Sequence, residues 1–396
     1  MPEKIECRVR FVTPAFLGNA EQKGQWRTPP FKALLRQWWR VAYAADHGFN
    51  VNLAEMRREE GLLFGNAWLS HQEGNRTVTD HCKSLVRIRL NRWDEGKLAR
   101  NQWSAMATVA HPEVRQAVAS DLYLGYGPVT LPRGAQRPTL KANAAIQAGE
   151  DATLSIAVPE PHATRIKQAL LLMHRYGTLG GRSRNGWGSF DLSANPQFSD
   201  AIIPLRPWPE ALAVDWPHAL GKDDNGPLIW QTGPHADWKT LMRTLAMVKI
   251  GLRTQFTFSL NATQGDKPIT RRGEQVGINH GSPQQRHWLS SPITNHPVLP
   301  WGGKSRLPNS LRFKVRPAPD APNQLVGVIF HVPCRPPSSF KPDLAAITRT
   351  WQSVHALLDE LTRPANGRRY ASIHDPERCD RLRQQLDSVT LQRTQE

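Results

Sequence analysis

The sequence predicts an α+β protein built from two tandem ferredoxin-like (RRM-like) domains, the first with a large insertion. Three observations lead there. Residues 4–11 and 83–90 alternate apolar and charged side chains with the period of half-buried strands, and a segment of helical period lies between them at 28–46. The same strand, helix, strand order recurs at 152–192, so the sum is two split βαβ units sharing one antiparallel sheet. A length of 396 residues suits two domains of about 150 to 200 residues each.

In the first strand Ile5, Cys7, Val9 and Phe11 lie on one side, with Lys4, Glu6, Arg8 and Arg10 on the other. Thr28 is placed to cap the helix that follows, Pro29 fits its first turn, and Gly48 can end it. A loop containing LLFGNAW leads to KSLVRIRL, where Val86, Ile88 and Leu90 oppose Arg87 and Arg89 and give the strand a basic face. Residues 91–150 hold no sustained period and read as an insertion. ATLSIAV is then a strand, RIKQALLLMHRY (165–176) a helix, and WGSFDL (187–192) the closing strand of a domain spanning 1–195. With both helices on one face of the sheet, the other face is free to receive single-stranded RNA. Residues 196–227 are proline-rich, break every period and read as a linker. Beyond it, helices at 236–252 and 342–362 and strands at 310–316 and 325–332 make 228–396 a second, degenerate ferredoxin-like domain.

Lysine and arginine total 51 against 34 acids, a formal charge of +17, which favours a polyanionic partner. The cations are spread through periodic segments, so a folded surface and not a tail would bind it. No stretch reaches the apolar length of a membrane span, and MPEKIECRVR lacks the apolar core of a signal sequence, so a cytoplasmic protein is expected. Cys7, Cys82, Cys334 and Cys379 are far apart without a CxxC pair, which argues for reduced thiols and against zinc. No cofactor is expected. Trp26, Trp39 and Trp93 each stand beside a cation, as a base-stacking surface requires, although core packing is the commoner role of tryptophan.

Two constellations carry most of the functional reading. In RTPPFKALLRQWWRV (27–41), Lys32, Arg36 and Arg40 fall within an arc of about 80° of the helix, opposite Phe31, Leu34, Leu35, Trp38 and Val41. Trp39 lies at the edge, able to pack under the sheet or to present its ring to a base. In YGTLGGRSRNGWGSF (176–190), five glycines accompany Arg182 and Arg184 between a helix and a strand. That density permits positive φ and close approach of a ligand backbone, and free N–H groups there can bind phosphate. The order helix, loop, strand and the lack of GK[ST] exclude the common nucleotide-binding loops.

The order K-x-x-L-R-x-W-W-R, then E-G-x-L-F-G at Glu60–Gly65, then G-G-R-S-R-x-G-x-G resembles the RAMP superfamily, and within it subunit one of the type III-B CRISPR effector, the Cmr complex. The resemblance covers the first 195 residues. It implies two ferredoxin-like domains and a non-catalytic subunit of an antiviral ribonucleoprotein that binds guide or target RNA near the 3′ end of the guide, among other RAMP subunits. It also implies RNA-binding roles for Arg27, Lys32, Arg36 and Arg40, and for the loop residues Gly180, Gly181, Arg182, Ser183, Arg184, Asn185 and Gly186; Trp39 joins them as the stacking candidate. Leu63, Phe64 and Gly65 match a packing motif. Where the family has a small Ser-x-Gly at the helix start, this chain has Pro30 and Ala33. Some RAMP relatives are metal-independent ribonucleases that process guide RNA, so His174, a few residues before the glycine loop, is the catalytic candidate of that alternative. His81, His111, Asp80 and Asp191 have no partner identifiable by spacing.

Overall fold

The computed structural model describes residues 2–114, 116–141, 145–194, 203–258, 265–271, 273–370, 373 and 376–394. The chain divides into two compact units. The first gathers Met1–Ala105, Leu124–Arg206 and Lys314–Leu325, and the second gathers Met106–Tyr123, Pro207–Phe313 and Val326–Glu396. The insertion read at 91–150 is therefore shared between units.

In the first unit, strand β1 (Pro2–Phe11) leads to helix α1 (Thr28–Asp46), helix α2 (Leu53–Phe64) and the antiparallel pair β2 (Asn66–Glu73) and β3 (Arg76–Cys82). Strand β4 (Arg87–Leu90), β5 (Asp151–Pro159), helix α3 (Glu160–Tyr176) and β6 (Phe190–Ala194) complete it. The sheet order is β6-β1-β5-β4, the ferredoxin-like arrangement expected from the sequence. β1 pairs antiparallel on both sides, Ile5 opposite Ile156 and Phe11 opposite Phe190. Its odd-numbered residues from Ile5 to Phe11 are buried and its even-numbered residues from Lys4 to Arg10 are exposed. The buried face meets Phe31, Leu35 and Trp38 of α1 and Ile166, Leu170 and Met173 of α3 as parts of one core. Phe11, Trp26, Phe31 and Phe190 continue it as a chain of ring contacts with centroids 5.1 to 6.4 Å apart.

Three local features differ from the sequence reading. Arg27, extended at φ −159°, holds the N-cap position of α1 in place of Thr28, with no side-chain cap. Proline at the start of the helix lessens the cost, because it removes an N–H that would otherwise lack an acceptor. The loop around LLFGNAW is α2 followed by β2. Asn52 caps α2 by accepting from the N–H groups of Ala54 and Glu55, and Gly65 stops it at φ 84°. In the stretch read as linker, residues 195–202 lie outside the described residues. Leu205–Pro207, Leu220–Asp223 and Gly226–Pro227 form a three-stranded sheet over which Trp208 is buried. Strands of two to four residues are too short to register as periodicity.

The second unit repeats the order with β7 (Ile229–Thr232), helix α4 (Trp238–Thr254), β8 (Leu311–Ala318), β9 (Ala321–His331), helix α5 (Leu344–Glu360) and β10 (Leu391–Arg393), the span Lys314–Leu325 of β8 and β9 being grouped with the first unit. Its sheet runs β8-β9-β7-β10, the same topology read from the opposite edge, so both domains are ferredoxin-like. Asp237 and Asp343 cap α4 and α5.

This unit also buries histidines. His280, His287 and His296 surround Phe258, with ring centroids 5.2, 4.9 and 4.1 Å away. The Gln284 amide donates to His280 Nδ1, so His280 Nε2–H donates to His296 Nδ1 at 3.0 Å. His287 Nδ1 accepts from the Gln284 backbone, and its Nε2–H donates to His296 O. Every Nδ1 lone pair in the group is used, which leaves these nitrogens none for a metal. Elsewhere His331 bonds Ser310 and His355, each at 3.0 Å.

Burial lowers the pKa of His287 and His296 to about 4 and that of His355 to about 3. The unfolded chain protonates these rings near pH 6.5 and the folded chain only near 4 or below, so their contribution is complete above pH 6.5 and is lost as pH falls. The urea midpoint is expected to be flat between pH 7 and 8 and to fall steadily between pH 6.5 and 4. A midpoint unchanged down to pH 4.5 contradicts burial of neutral imidazoles.

Candidate nucleic-acid interface

The glycine-arginine loop is docked against its own chain. The Gly181 N–H donates to Phe16 O at 3.0 Å and the Gly188 N–H to Pro14 O at 2.8 Å, while Thr13 Oγ1 donates to Gly186 O at 2.8 Å. Gly188 has φ 63°, and a Cβ there would lie 1.8 Å from Leu179 O; Gly180 has φ 91°, and its Cβ would lie 2.7 Å from Phe16 O. The glycines thus admit the chain's own backbone, where the sequence reading gave that space to a ligand backbone. Within the loop the N–H groups of Asn185 and Gly186 are taken by Arg182 O and Ser183 O. Arg182, itself at φ 56°, donates from Nε to Tyr126 O, and Asn185 Nδ2 donates to Leu124 O at 2.6 Å. Ser183 and Arg184 are partly exposed at the tip and Gly180 is exposed. Below them the buried Trp187 packs on Phe16 and Trp103, at 5.2 and 5.7 Å.

On α1 the cationic stripe is divided. Arg36 Nε donates to Glu60 Oε1 at 2.7 Å, and Arg40 holds both oxygens of the same carboxylate at 2.8 Å. Glu60 is only 3% exposed, whereas Arg36 and Arg40 keep 36% and 42% of their side-chain surface. The two arginines therefore present one net positive charge, and Glu60, read only as the first residue of the E-G-x-L-F-G segment, is their shared counter-ion. Lys32 is half-buried, and burial followed by the neighbouring Arg36 lowers its pKa. Arg27 donates to Gly18 O, so it grips the same Pro14–Gly18 segment on which the glycine loop rests. This is where the two constellations meet.

Trp39 is not a stacking platform. It is 1% exposed, 5.1 Å from Tyr43 and edge-on to Phe64 at 5.9 Å, with the Arg165 guanidinium 5.8 Å from its ring. Phe64 belongs to α2, whose packing covers the edge position that a single helix leaves open. Trp26 is also buried, but Trp93 is 55% exposed. Tyr126, which no sequence pattern singled out, is 66% exposed beside the glycine loop, its carbonyl bonded by Arg182.

The outer face of the first sheet carries the freest cations. Lys4, Arg8 and Arg10 of β1 and Arg87 and Arg89 of β4 are exposed. Between these strands, Thr153, Ser155 and Ala157 stand in register, with Arg8 opposite Thr153 and Arg87 opposite Ala157. Glu6, Asp151 and Asp191 are the acids on this face, and Asp151 pairs with Arg8 at 2.7 Å. No aromatic side chain points outward from the described residues of these four strands, so the face offers phosphate contacts without the ring platform of an RRM. The alternation of arginine in both strands was the signal for this site.

His174 lies at the end of α3 with Nδ1 accepting the Leu192 N–H at 3.2 Å, 3.4 Å from Asp191. Burial, with Lys314 acting in the same direction, lowers its pKa to about 4. Lys314 is fully buried, donates to Met173 O and His174 O, and lies 4.8 Å from the centre of the Phe190 ring. Its amine thereby caps the C-terminal carbonyls of α3.

No family model and no curated protein matches this sequence. Among solved structures the chain is similar to the crystal structure of apo Cmr1 from Pyrococcus furiosus, at 14% identity and a TM-score of 0.39, covering 89% of this chain and 96% of that one. Similarity at this level does not bear on function. No helix among the described residues is long and apolar enough to cross a membrane.

Glu60→Gln is expected to lower the unfolding free energy by about 1–2 kcal/mol, because two half-exposed guanidiniums lose a common buried acceptor. Arg36→Gln should cost less, since Arg40 keeps its bidentate hold. Urea titration checks this, and a larger loss for Arg36→Gln contradicts Glu60 as the hub.

Proposed function

We propose that the chain is a non-catalytic RNA-binding subunit of a type III CRISPR effector ribonucleoprotein, contacting guide or target RNA near the 3′ end of the guide beside other RAMP subunits. The observation that carries the RNA reading is the exposed cationic face of the first sheet, with Arg10, Arg87 and Arg89 on it. Such a face tracks a flexible phosphate backbone and reads little sequence. Trp93, three residues past β4, and Tyr126, beside the glycine loop, supply exposed rings to stack bases, with Ser183 and Arg184 at the loop tip. The order of the Trp-Trp helix, the EGLLFG segment and the GGRSRNG loop supports placement among RAMP subunits.

The non-catalytic part of the proposal draws on His174. An imidazole whose Nδ1 is occupied by a backbone N–H and whose pKa is near 4 is neutral at pH 7, a poor general acid and a weak base. Guide-RNA processing through this residue is accordingly the less favoured reading.

For the double variant Arg87→Glu/Arg89→Glu, affinity for single-stranded RNA is expected to fall for all sequences alike. Its log-affinity against log-salt slope should flatten by about 1.4, at about 0.7 for each phosphate that is no longer neutralised. Tyr126→Ala should cost about 1–3 kcal/mol of binding with the slope unchanged. Fluorescence anisotropy across a salt series reads both. Unchanged affinity in the double variant, or equal affinity for duplex DNA in the parent protein, sinks the proposal.

A further inference from the structure

The second unit contains a buried group of hydrogen-bond donors with too little negative charge to balance it. Arg286, only 7% exposed, donates from Nη1 to Glu113 Oε1 at 2.6 Å. Arg253, in the last turn of α4, donates from Nη1 to Ser290 Oγ at 2.6 Å, a neutral acceptor, and no carboxylate bonds it among the described residues. Two guanidiniums therefore share one bonded carboxylate. The Tyr123 hydroxyl is buried without a hydrogen-bond partner, as is Arg286 Nε. Arg253, Arg286 and Glu113 all lie within electrostatic range of that hydroxyl, and burial lowers the pKa of Arg253, with Tyr123 and Glu113 opposing it and Arg286 acting in the same direction.

A part-buried guanidinium bonded only to a neutral hydroxyl, and buried donors without acceptors, each cost stability, and native structures keep them where something else completes them. What is missing here is an acceptor. Guanidinium N–H groups and a phenol can all donate at once, whereas a metal ion or a cationic ligand would be repelled. Guanidinium forks match planar or tetrahedral oxyanions, and donors arriving from three separate side chains suit a tetrahedral one. We propose that Arg253, Arg286 and Tyr123 form a binding site for a phosphate group, with Ser290 orienting Arg253 and Glu113 holding Arg286. The site is separate from the sheet face of the first unit and does not depend on the RNA reading. Its phosphate can be free or part of an RNA backbone.

The test is a calorimetric and thermal-shift titration of the full chain with inorganic phosphate, against sodium chloride at matched ionic strength. The unmodified protein is expected to bind phosphate and to gain thermal stability from it beyond the chloride control. Tyr123→Phe retains the ring and removes only the unpartnered hydroxyl, so it should fold at least as stably while binding phosphate at least tenfold more weakly. Arg253→Met should abolish the phosphate-specific shift. A phosphate response absent from the parent, or undiminished in Tyr123→Phe, overturns the proposal even if Arg253→Met fails to fold. A second arm separates the sources: if the site takes an RNA phosphate, Tyr123→Phe also weakens a short oligoribonucleotide, and if it takes free phosphate only, oligonucleotide affinity is unchanged while phosphate affinity drops.

Discussion

The register of β1 is the constraint on which the first unit depends. This strand is paired on both sides, so its alternation assigns Ile5, Cys7, Val9 and Phe11 to the core and Lys4, Glu6, Arg8 and Arg10 to solvent in a single step. A slip of one residue would bury two arginines and expose Phe11, which makes the register self-enforcing. Because β4 joins the same sheet beyond β5, its own alternation adds Arg87 and Arg89 to the outer face. The hydrophobic pattern that builds the core therefore also builds the cationic surface.

Much of the net positive charge is committed to structure before any ligand arrives. Arg36 and Arg40 converge on Glu60, Arg182 and Arg27 hold backbone carbonyls, and Lys314 closes the end of α3. Arginine suits these tasks because its planar fork satisfies a carboxylate or carbonyl with little freedom left to lose. Hence the residues most conspicuous by motif are largely architectural, while plainer alternating arginines on the strands are the ones turned outward. The glycine loop follows the same logic: its glycines let the chain cross itself at Pro14–Gly18, and that crossing fixes where Tyr126 and the loop tip stand.

The first ferredoxin-like sheet and the two long strands of the second were legible from the sequence because they and their helices are long enough to show a period, as in β1, β5, α3 and α4, whereas β7 and β10, of four and three residues, were not. Elements that depend on neighbours were not. Trp39 sits at the edge of the apolar arc of α1, and only the packing of α2 decides that it is covered. Glycine density announces a close backbone approach but not whose backbone approaches. Glu60 was visible in its segment, yet nothing in spacing links it to arginines 20 and 24 residues earlier. The short strands within the proline-rich stretch and the divided insertion are held by tertiary contacts, so periodicity had no signal to offer.

The central claim is that the outer face of the first sheet, with the adjacent loop, receives single-stranded RNA. Photocrosslinking of the full chain to a short oligoribonucleotide carrying 4-thiouridine, read by mass spectrometry, tests it most directly. The expected crosslinks fall in residues 4–10, 87–93 and 126 and at the loop tip 182–184. Crosslinks confined to residues 207–313 and 326–394, with none on the first sheet, would contradict the account.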